Sequence, residues 1–458
     1  MENGNTATIV TELEAEVAAA APGDRLPSVR ELMARHRAGP ATVQRAIASL
    51  AARGLVEARP GRGTFVAPRS AAPPADPSWQ TVALGARAID ADALEGLLRP
   101  PAPGAYVLSS GYLPPELQPT AALGAALARA ARRPGAWDRV PLEGLSGLRT
   151  YFATAVGAAV GDVLICSGAQ AGLAAAMRGL AAPGGPVIVE APTYLGALAV
   201  ARAQGLEPVP VPADDRGIRP DLLAEALERT GARLVYLQPH LANPHGATLA
   251  PARREQVLEA ARQANAFVLE DDAFRELAFT AAPPPLFAED PDGHVVHLRS
   301  LTKAAAPGLR ISAAVARGPA LARLRAARIV EDLYVPGPLQ EAALEFVGAP
   351  AWQSHLRKTR RVLRERRDAL AAALGDLRPA RLPDGGMNLW VPLPPGSDDR
   401  EIAARAAAAG VVVSPGRPFF AAEPSGPHLR LTFAAEPPER LAEAVRRLRT
   451  DVLSPADT

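Results

Sequence analysis

The chain uses lysine sparingly, and one of its few lysines stands in a setting that suggests chemistry. Of 50 basic residues only two are lysines, Lys303 and Lys358. Lysine can lose its proton and attack a carbonyl carbon to form a Schiff base, whereas arginine stays charged. In the segment SLTKAAAPGLR, Lys303 is accompanied by Ser300 and Arg310, which suit an anion. The pattern favours a nucleophilic lysine for an anionic aldehyde over a surface charge.

Three further motifs fit the same chemistry. The turn at 167–170, SGAQ, opens a helix, where backbone amides bind phosphate. Asp271 follows the apolar run AFVLE, and a carboxylate buried at a strand end requires a cation such as a protonated pyridine nitrogen. Asn243 begins the polar turn NPHG. Each motif alone has an ordinary alternative: a plain strand-to-helix turn, a helix-capping aspartate and an Asn-Pro turn.

The elements that must position these residues are short buried strands alternating with helices. The apolar runs that predict strands are PVIVEAP, ARLVYLQP, AFVLEDDA, HVVHLRSLT and RISAAVARG. Helical stretches at 220–229 and 251–264 lie between several of them. This alternation predicts an α/β domain with a mainly parallel sheet. Ligands of such sheets bind at the carboxyl ends of the strands, where the motifs fall.

The first 67 residues have a different organisation. A helix is predicted over 6–20, a second begins at Ser28 with Glu31 completing a capping box, and a third begins at Pro40. Residues 55–67 read as two strands joined by the glycine turn RPGRG. Three helices and a hairpin predict a winged helix-turn-helix. The expected inward stripes are Ile9, Leu13 and Val17 on the first helix and Val43, Ile47 and Leu50 on the third, with Thr42 and Arg45 facing outward.

Charge is concentrated in this N-terminal segment. The whole chain carries a formal net charge of only +2, but between Asp24 and Ala67 eight arginines oppose three acids, a net +5. A helix fits the major groove of DNA, and a glycine-rich wing can approach phosphates closely. The alternative is the solvated face of a small helical domain. The combination of a basic helix and a basic wing favours DNA.

Length and composition divide the chain further. A chain of 458 residues exceeds one ordinary core, and PRSAAPPAD after residue 67 is typical of a stiff linker. We predict a head at 1–67, a linker at 68–83 and a large domain at 84–458, with a small subdomain from about 345. The N-terminus does not resemble a signal peptide, and no apolar run reaches about 18 residues. We therefore expect a cytoplasmic protein without membrane contact. We predict no metal site, and Cys166, the single cysteine, cannot form an intramolecular disulfide.

The head resembles the DNA-binding domain of the GntR family of bacterial regulators. The resemblance spans about 60 residues, through PGDRLPSVREL and ATVQRAIASLAARGLVEARPGRGTFV. It departs at Gly39-Pro40-Ala41, where the family usually has Ser-Arg-Thr, so one base-reading arginine is missing. The resemblance implies double-stranded DNA as a partner. The residues predicted to bind DNA are Ser28, Arg30, Thr42, Arg45, Arg62 and Gly63.

The order of motifs in the large domain resembles that of fold-type I aminotransferases of class I and II. This resemblance covers some 350 residues, and together with the head it resembles the MocR subfamily of GntR-type regulators. It implies pyridoxal phosphate as cofactor. Lys303 would form the Schiff base, Asp271 would hold the ring nitrogen protonated and Asn243 would bind the 3′ oxygen. Tyr194, in APTY, would stack on the ring.

The same resemblance assigns the anionic groups. Arg430, in HLRLTFA, would bind a substrate carboxylate through two hydrogen bonds. Thr302 would lie near the lysine or the phosphate. The phosphate would be held by Gly168, Ala169, Gln170, Ser300 and Arg310.

Three departures from the aminotransferase pattern concern the site. Phe274 stands where the family has a tyrosine that binds the 3′ oxygen, so one hydrogen bond is lost. NPTG has become NPHG, which is expected to place His245 by the site. The tyrosine that a partner subunit supplies is replaced by Arg139 or by Trp137. Cofactor binding tolerates these changes better than efficient catalysis does.

These observations predict a DNA-binding regulator that senses pyridoxal phosphate, an amino compound or both. The alternative is a working aminotransferase with a vestigial DNA-binding head, which a turnover assay separates from the first. A scaffold that binds no cofactor disagrees with the setting of Lys303. Because fold-type I enzymes build their sites at a dimer interface, the resemblance also implies a homodimer.

Overall fold

Three helices and a hairpin form the N-terminal head. The computed structural model describes residues 2–68, 76–84 and 91–453, and it separates the chain into two units, Met1–Arg87 and Ala88–Thr458. In the head, β1 pairs antiparallel with β2, and the winged helix-turn-helix is confirmed. Its elements are α1 (Glu2–Ala19), α2 (Val29–His36), α3 (Pro40–Ala52), β1 (Val56–Arg59) and β2 (Gly63–Val66).

Local sequence signals fix the ends of the head helices. Ser28 is the N-cap of α2: its side chain accepts a hydrogen bond from the Glu31 amide, and the Glu31 carboxylate accepts one from the Ser28 amide. The predicted capping box is therefore confirmed. Pro40 occupies the first position of α3, where no amide proton is needed.

One prediction for α3 is wrong, because Thr42 does not face outward. Its side chain is 8% exposed, and α3 buries Thr42 and Ala46 as well as the expected apolar stripe. A helix packed between two others buries positions i, i+1, i+4, i+5 and i+8, which is a wider stripe than three residues indicate. Thr42 therefore belongs to the head core rather than to a DNA-facing surface, whereas Arg45 is exposed as expected.

A short helix lies in the segment after the head. Residues 78–84, most of them assigned to the linker by sequence, form the helix α4 (Ser78–Leu84). The stiff, extended conformation was predicted for PRSAAPPAD at 68–76, and no proline interrupts the helical segment SWQTVAL that follows. The proline-rich part, residues 69–75, lies outside the described residues.

The large unit is an α/β domain. A central eight-stranded sheet is covered by helices, and a smaller three-stranded antiparallel sheet follows near the C-terminus. In chain order its elements are α5 (Asp92–Leu98), β3 (Tyr106–Val107), α6 (Thr120–Ala130), α7 (Ser146–Val156), β4 (Val163–Cys166), α8 (Ala169–Leu180), β5 (Pro186–Ala191), α9 (Leu195–Ala203), β6 (Glu207–Asp214), β7 (Gly217–Ile218), α10 (Pro220–Thr230), β8 (Leu234–Leu237), α11 (Pro251–Gln263), β9 (Phe267–Asp272), α12 (Leu286–Glu289), β10 (Val295–Ser300), β11 (Ser312–Val315), α13 (Gly318–Asp332), α14 (Gly337–Gly348), α15 (Pro350–Leu374), β12 (Asn388–Pro392), α16 (Asp399–Ala408), β13 (Val411–Val412), β14 (Ser414–Pro415), β15 (His428–Thr432) and α17 (Pro438–Arg447).

The large sheet has the mainly parallel character that the sequence predicts. Its strand order is β4-β11-β10-β9-β8-β5-β6-β7, and the strands from β10 through β6 run parallel. The five predicted strands are β5, β8, β9, β10 and β11, of which β11 is antiparallel to its neighbours. The strands are buried on both faces, which explains their continuous apolar runs.

The smaller layer contains β12, β15 and β14 with α15 to α17. It is not built from the C-terminal third alone, because β3 pairs in parallel with β13. Within the described ranges, no helix combines the length and the apolar character that a membrane crossing requires.

We predict that Ser28→Ala lowers the stability of the head by about 1 kcal/mol, because the Glu31 amide in the first turn of α2 loses its capping acceptor. Hydrogen exchange of the α2 amides in the full chain measures this. The control is Ser49→Ala on the exposed face of α3, which should change stability by less than about 0.5 kcal/mol. Equal exchange rates in both variants would contradict the role of the cap.

Candidate functional site

The predicted cofactor residues converge where β8, β9 and β10 end. Because these strands are parallel neighbours, the loops that follow them meet at one edge of the sheet. A cavity of about 440 Å³ opens there. The predicted residues that line it are Ala169, Gln170, Tyr194, Asn243, Asp271, Ser300, Thr302, Lys303 and Arg310.

Lys303 presents an amine among other cations. Its Nζ donates a hydrogen bond to the Gly111 carbonyl at 2.9 Å and lies 4.0 Å from the centre of the Tyr112 ring. Enclosure away from water lowers the pKa of Lys303 to about 7, and the positive charges of Arg430 and Arg310 act in the same direction. A substantial fraction of Lys303 is therefore neutral at neutral pH, which is the form that attacks a carbonyl carbon.

Asp271 offers one free carboxylate oxygen to the cavity. Its Oδ2 accepts hydrogen bonds from the Tyr236 hydroxyl at 2.8 Å and from the Gln238 side chain at 3.1 Å. Its Oδ1 is buried and has no hydrogen-bond partner among the described residues. Burial raises the pKa of Asp271 to about 6, so a cation opposite Oδ1 would stabilise its charged form. A protonated ring nitrogen fits this requirement.

Gln238 connects the two residues that would contact the ring. Its Nε2 donates to Asp271, and its Oε1 accepts the backbone amide of Asn243 at 2.9 Å. The Oδ1 atom of Asn243 is buried without a hydrogen-bond partner in the described structure. The backbone amide of Gln238 donates to Glu190 at 2.8 Å, and burial raises the pKa of Glu190 to about 8. Gln238 therefore fixes the spacing between Asp271 and Asn243.

A cradle for an anion lies at the start of α8. Gly168 is the N-cap of α8 with φ +89°, and the amides of Ala169 and Gln170 follow in the first turn. A Cβ on Gly168 would stand 2.5 Å from Nη2 of Arg310, so only glycine lets the guanidinium lie against this backbone. The helix N-terminus and Arg310 both favour a negative charge. Ser300 is buried at the end of β10, and its hydroxyl accepts the Thr302 amide at 3.1 Å.

Two further predicted residues flank this arrangement. The Tyr194 hydroxyl donates to Gln170 at 3.1 Å, which holds the phenol ring in the wall of the cavity. Arg430 is buried on β15 and does not itself line the cavity. It donates to the carbonyls of Ser109 at 2.9 Å and Ser110 at 3.1 Å, while its Nε has no partner among the described residues. Burial lowers the pKa of Arg430 to about 10.

The three sequence departures have different outcomes. Phe274 is buried and lines the cavity, as expected. His245 does not line it: its Nδ1 accepts the Ala247 amide at 3.3 Å, so the ring folds onto its own turn and the expectation that it stands by the site is wrong. Burial lowers the pKa of His245 to about 4. Arg139 is exposed, and Trp137 is 79% exposed, so neither enters the cavity of its own chain.

Sequence reasoning missed several residues of the site. Tyr236 and Gln238 hold Asp271, and their signal was a polar pair in the otherwise apolar run LVYLQP. Tyr112 covers the Lys303 amine, and Leu94 and Leu98 of α5 form part of the wall. These three are far from the motifs along the chain, and nothing in their own spacing indicated a site.

The head sorts its arginines into two groups. Arg35 pairs with Glu12 at 2.8 Å and Glu16 at 2.5 Å of α1, and Arg53 and Arg59 also pair with glutamates. The others are exposed and make no ion pair within 4 Å among residues 2–68. They are Arg25, Arg30, Arg37, Arg45 and Arg62.

Arg25, which sequence reasoning did not single out, lies on the wing. The chain at Arg25 bridges to Phe65, and the Leu26 amide donates to the Thr64 carbonyl at 2.9 Å, which adds a short third strand to the hairpin. Gly63 has φ +114°, and a Cβ there would stand 2.9 Å from Nε of Arg25. Arg25 therefore sits on the backbone beside Arg62 and Gly63, two residues predicted to bind DNA. Ser28 is also among the residues predicted to bind DNA, and its hydroxyl oxygen accepts the Glu31 amide and so caps α2.

Two family models match this chain. The model for aminotransferases of class I and II matches residues 113–448, and the model for bacterial regulatory proteins of the gntR family matches residues 5–66. The first covers the sheet and the cavity wall apart from Leu94, Leu98 and Tyr112, and the second covers most of the head. Both resemblances inferred from sequence are thereby confirmed.

Similar proteins include both enzymes and regulators. The chain is 35% identical to a 2-aminoadipate transaminase of Thermus thermophilus over 383 residues, which are 81% of this chain and 96% of the relative. It is 34% identical to the HTH-type transcriptional regulator TauR of Rhodobacter capsulatus over 454 residues, 93% of this chain and 92% of the relative. The crystal structure of LysN, an alpha-aminoadipate aminotransferase from Thermus thermophilus complexed with N-(5'-phosphopyridoxyl)-L-leucine, has a TM-score of 0.74 at 35% identity and covers 80% of this chain and 95% of that one.

We predict that, in the cofactor-free chain, reductive methylation of Lys303 has its midpoint near pH 7. Only the neutral amine reacts, and Lys303 becomes neutral above its lowered pKa of about 7. Peptide mass spectrometry separates Lys303 from Lys358. In the Lys303→Arg control, modification at neutral pH should disappear from this peptide. A midpoint near the ordinary lysine value of about 10.4 would contradict the environment described.

Proposed function

Because the chain belongs to the aminotransferase class I and II family and carries a GntR-family head, we propose that it is a DNA-binding transcription regulator of the MocR type. It senses pyridoxal phosphate, an amino compound or both through the large unit. The observation that carries the proposal is the sorting of charge in the head: the paired arginines stabilise the fold, and five exposed ones remain for phosphates and bases. Because a transcription regulator must share a compartment with the DNA that it binds, the proposed function also supports a cytoplasmic location.

Sequence similarity to a named regulator over nearly the whole chain supports this function. TauR, named a transcriptional regulator, is similar over 93% of this chain, which includes the head. The head also has an intact core, cap and wing. Exposed arginines without an anionic ligand repel one another, so their presence favours a head that binds DNA over a vestigial one.

Pyridoxal phosphate fits the residues at the cavity. The cofactor supplies a protonated pyridine ring that withdraws electrons from an attached amine. Asp271 would accept the ring N–H through Oδ1, Asn243 would contact the 3′ oxygen and Tyr194 would pack against the ring. Arg310, Ser300, Thr302 and the start of α8 would hold the phosphate. The orphaned Oδ1 of Asp271 supports the fit, because a buried acceptor without a donor is costly and a protonated ring nitrogen would supply one.

Lys303 would attach the cofactor, and Arg430 would orient the ligand. The neutral amine of Lys303 is suited to attack the aldehyde carbon. Arg430 lies near Lys303: a Cβ on Gly111 would be 3.6 Å from the Lys303 Nζ and 4.0 Å from an Arg430 Nη2. A ligand carboxylate on Arg430 would therefore present its amine close to Lys303. The orphaned Nε of Arg430 is available for the second of two parallel hydrogen bonds.

A homodimer is part of the proposal. Trp137 and Val330 are 79% and 81% exposed, and Leu333 is also exposed, on the large unit. Val330 and Leu333 lie at the end of α13, where Asp332 accepts a hydrogen bond from Ser167 beside the anion cradle, and Arg328 of α13 donates to the Leu142 carbonyl, five residues after Trp137. Exposed apolar side chains near a site are typical of an interface. A second copy would cover them and place two DNA-binding heads in one molecule.

Transamination is a second candidate function. The similarity to a transaminase over 81% of this chain and the complete set of Lys303, Asp271 and Arg430 favour it. Phe274 argues against efficient turnover, because it cannot donate to the 3′ oxygen. Release of a 2-oxo acid from the loaded protein measures this activity, and rapid turnover together with no DNA binding would replace the regulator proposal by an enzyme.

We predict that the purified chain absorbs visible light when loaded with pyridoxal phosphate and that Lys303→Ala abolishes the band. Borohydride reduction should lock the cofactor onto the peptide that contains Lys303. The matched control is Lys358→Ala, which should leave both results unchanged. Attachment to Lys358, or to neither lysine, would show that the assignment of Lys303 is wrong.

We predict that Arg45→Ala weakens binding to DNA from the chain's own upstream region by about 1–3 kcal/mol, because an exposed guanidinium of α3 is removed. Arg25→Ala and Arg62→Ala should each reduce the log–log salt slope by about 0.9 if each binds one phosphate. Electrophoretic shift at several salt concentrations measures both effects.

The control for these head variants is Arg35→Ala, whose guanidinium is held by Glu12 and Glu16 on another face. It should leave the salt slope unchanged. The full chain should show about twice the slope of a single head if two heads bind together. Wild-type affinity in Arg45→Ala, or no binding of upstream DNA at all, would contradict the regulator function.

A further inference from the structure

The wall of the cavity divides into a polar and an apolar part. The polar side chains are those assigned to the cofactor, around Asp271, Asn243, Lys303 and Arg310. The rest of the wall is made by Leu94, Leu98, Tyr112, Leu173, Ala273, Phe274 and Pro307. A ligand attached at the cofactor would therefore extend its side chain along carbon surfaces and aromatic rings.

Each charged residue that lines the cavity already has a role in the proposed cofactor site. Among the described lining residues, the charged ones are Asp271, Lys303 and Arg310. Asp271 would face the ring nitrogen, Arg310 the phosphate and Lys303 the aldehyde carbon. Arg430, behind this wall, would receive one carboxylate. A second ligand carboxylate among the apolar side chains of this wall would lose part of its hydration and would meet no free cation among the described lining residues, which is unfavourable.

Helix α5 contributes apolar side chains to the wall that the described residues leave partly uncovered. Leu94 and Leu98 are four positions apart and so share one face of this short helix. Leu98 lines the cavity and is nevertheless 62% exposed, while Leu94 is half-buried. Phe274, which also lines the cavity, is buried and presents a ring without a hydroxyl. An apolar ligand group between these side chains would remove their carbon surface from water.

We propose that the amino compound bound by this chain is an α-amino acid with an uncharged, apolar side chain, which Leu94, Leu98 and Phe274 contact. The proposal rests on the proposed function, which supplies the cofactor and the role of Arg430. It adds the chemical class of the ligand. Dicarboxylic amino acids are disfavoured, because no second free cation is among the described residues that line the cavity.

The test is a titration of the full-length, cofactor-loaded chain with L-leucine, L-phenylalanine, L-glutamate and L-2-aminoadipate. Isothermal calorimetry gives the affinities, and the change in the visible spectrum shows that the ligand reaches the cofactor. The two apolar amino acids should bind at least about tenfold more tightly than the two acidic ones. Equal or tighter binding of either acidic amino acid, or no binding of any of the four, overturns the proposal.

Variants of α5 locate the selectivity. Leu98→Ala should weaken L-leucine binding by about tenfold, and Leu98→Arg should reverse the preference towards L-glutamate. The matched control is Leu97→Ala on the same helix but outside the lining, which should keep the wild-type preference. Unchanged affinities in both Leu98 variants overturn the role of α5.

The outcomes separate this inference from the function on which it rests. If the purified chain binds no pyridoxal phosphate, the proposed function and the ligand class fail together. If it binds the cofactor and DNA but prefers L-glutamate, only the ligand class is wrong.

Discussion

The structure depends on the burial of unlike charges at one edge of a parallel sheet. Asp271, Lys303, Arg310 and Arg430 lie near one another in a space largely closed to water, and burial shifts the pKa of Asp271 up and those of Lys303 and Arg430 down. Each shift moves a group towards its neutral form. A cofactor that carries both a phosphate and a protonatable ring would restore the charged forms by pairing with them. The site is therefore shaped for an ionic ligand.

The acids around Asp271 explain why it alone is available to that ligand. Glu270 accepts the amides of Leu286 and Phe287 and contacts His297 at 3.0 Å. Asp272 accepts a hydrogen bond from Arg275 and lies 3.5 Å from His240, while Glu276 pairs with Arg299. These groups stabilise the loops after β9 and β10. Of these four acids only Asp271 lines the cavity, and its strand neighbours Glu270 and Asp272 face the other way because alternate residues of a strand face opposite sides of the sheet.

The head follows the same division between groups that are satisfied internally and groups that are left for a partner. Its apolar core holds three helices and a hairpin together, and the glutamates of α1 neutralise the arginines that face them. Arg25 and Arg62 at the wing and Arg45 on α3 have no such partner among residues 2–68. In both units, the groups without an internal partner are those to which the proposed function assigns a ligand: phosphates of DNA for the head, and an aldehyde cofactor with an amino compound for the large unit.

The sequence by itself determined whatever depends on local spacing and residue type. The scarcity of lysine in the chain singled out Lys303, continuous apolar runs predicted the parallel strands, and the Ser28–Glu31 pair predicted a capping box. Because strand ends of a parallel sheet meet at one edge, the sequence also predicted that Asp271, Asn243 and Lys303 converge. Only the tertiary structure decided what depends on packing between distant segments. Thr42 is buried because α3 packs on two sides, His245 folds onto its own turn, and 78–84 is helical. Gln238, Tyr112 and Leu98 reach the cavity from separate parts of the chain, and the position of a side chain relative to a distant loop is set by how the elements pack, which local sequence does not encode.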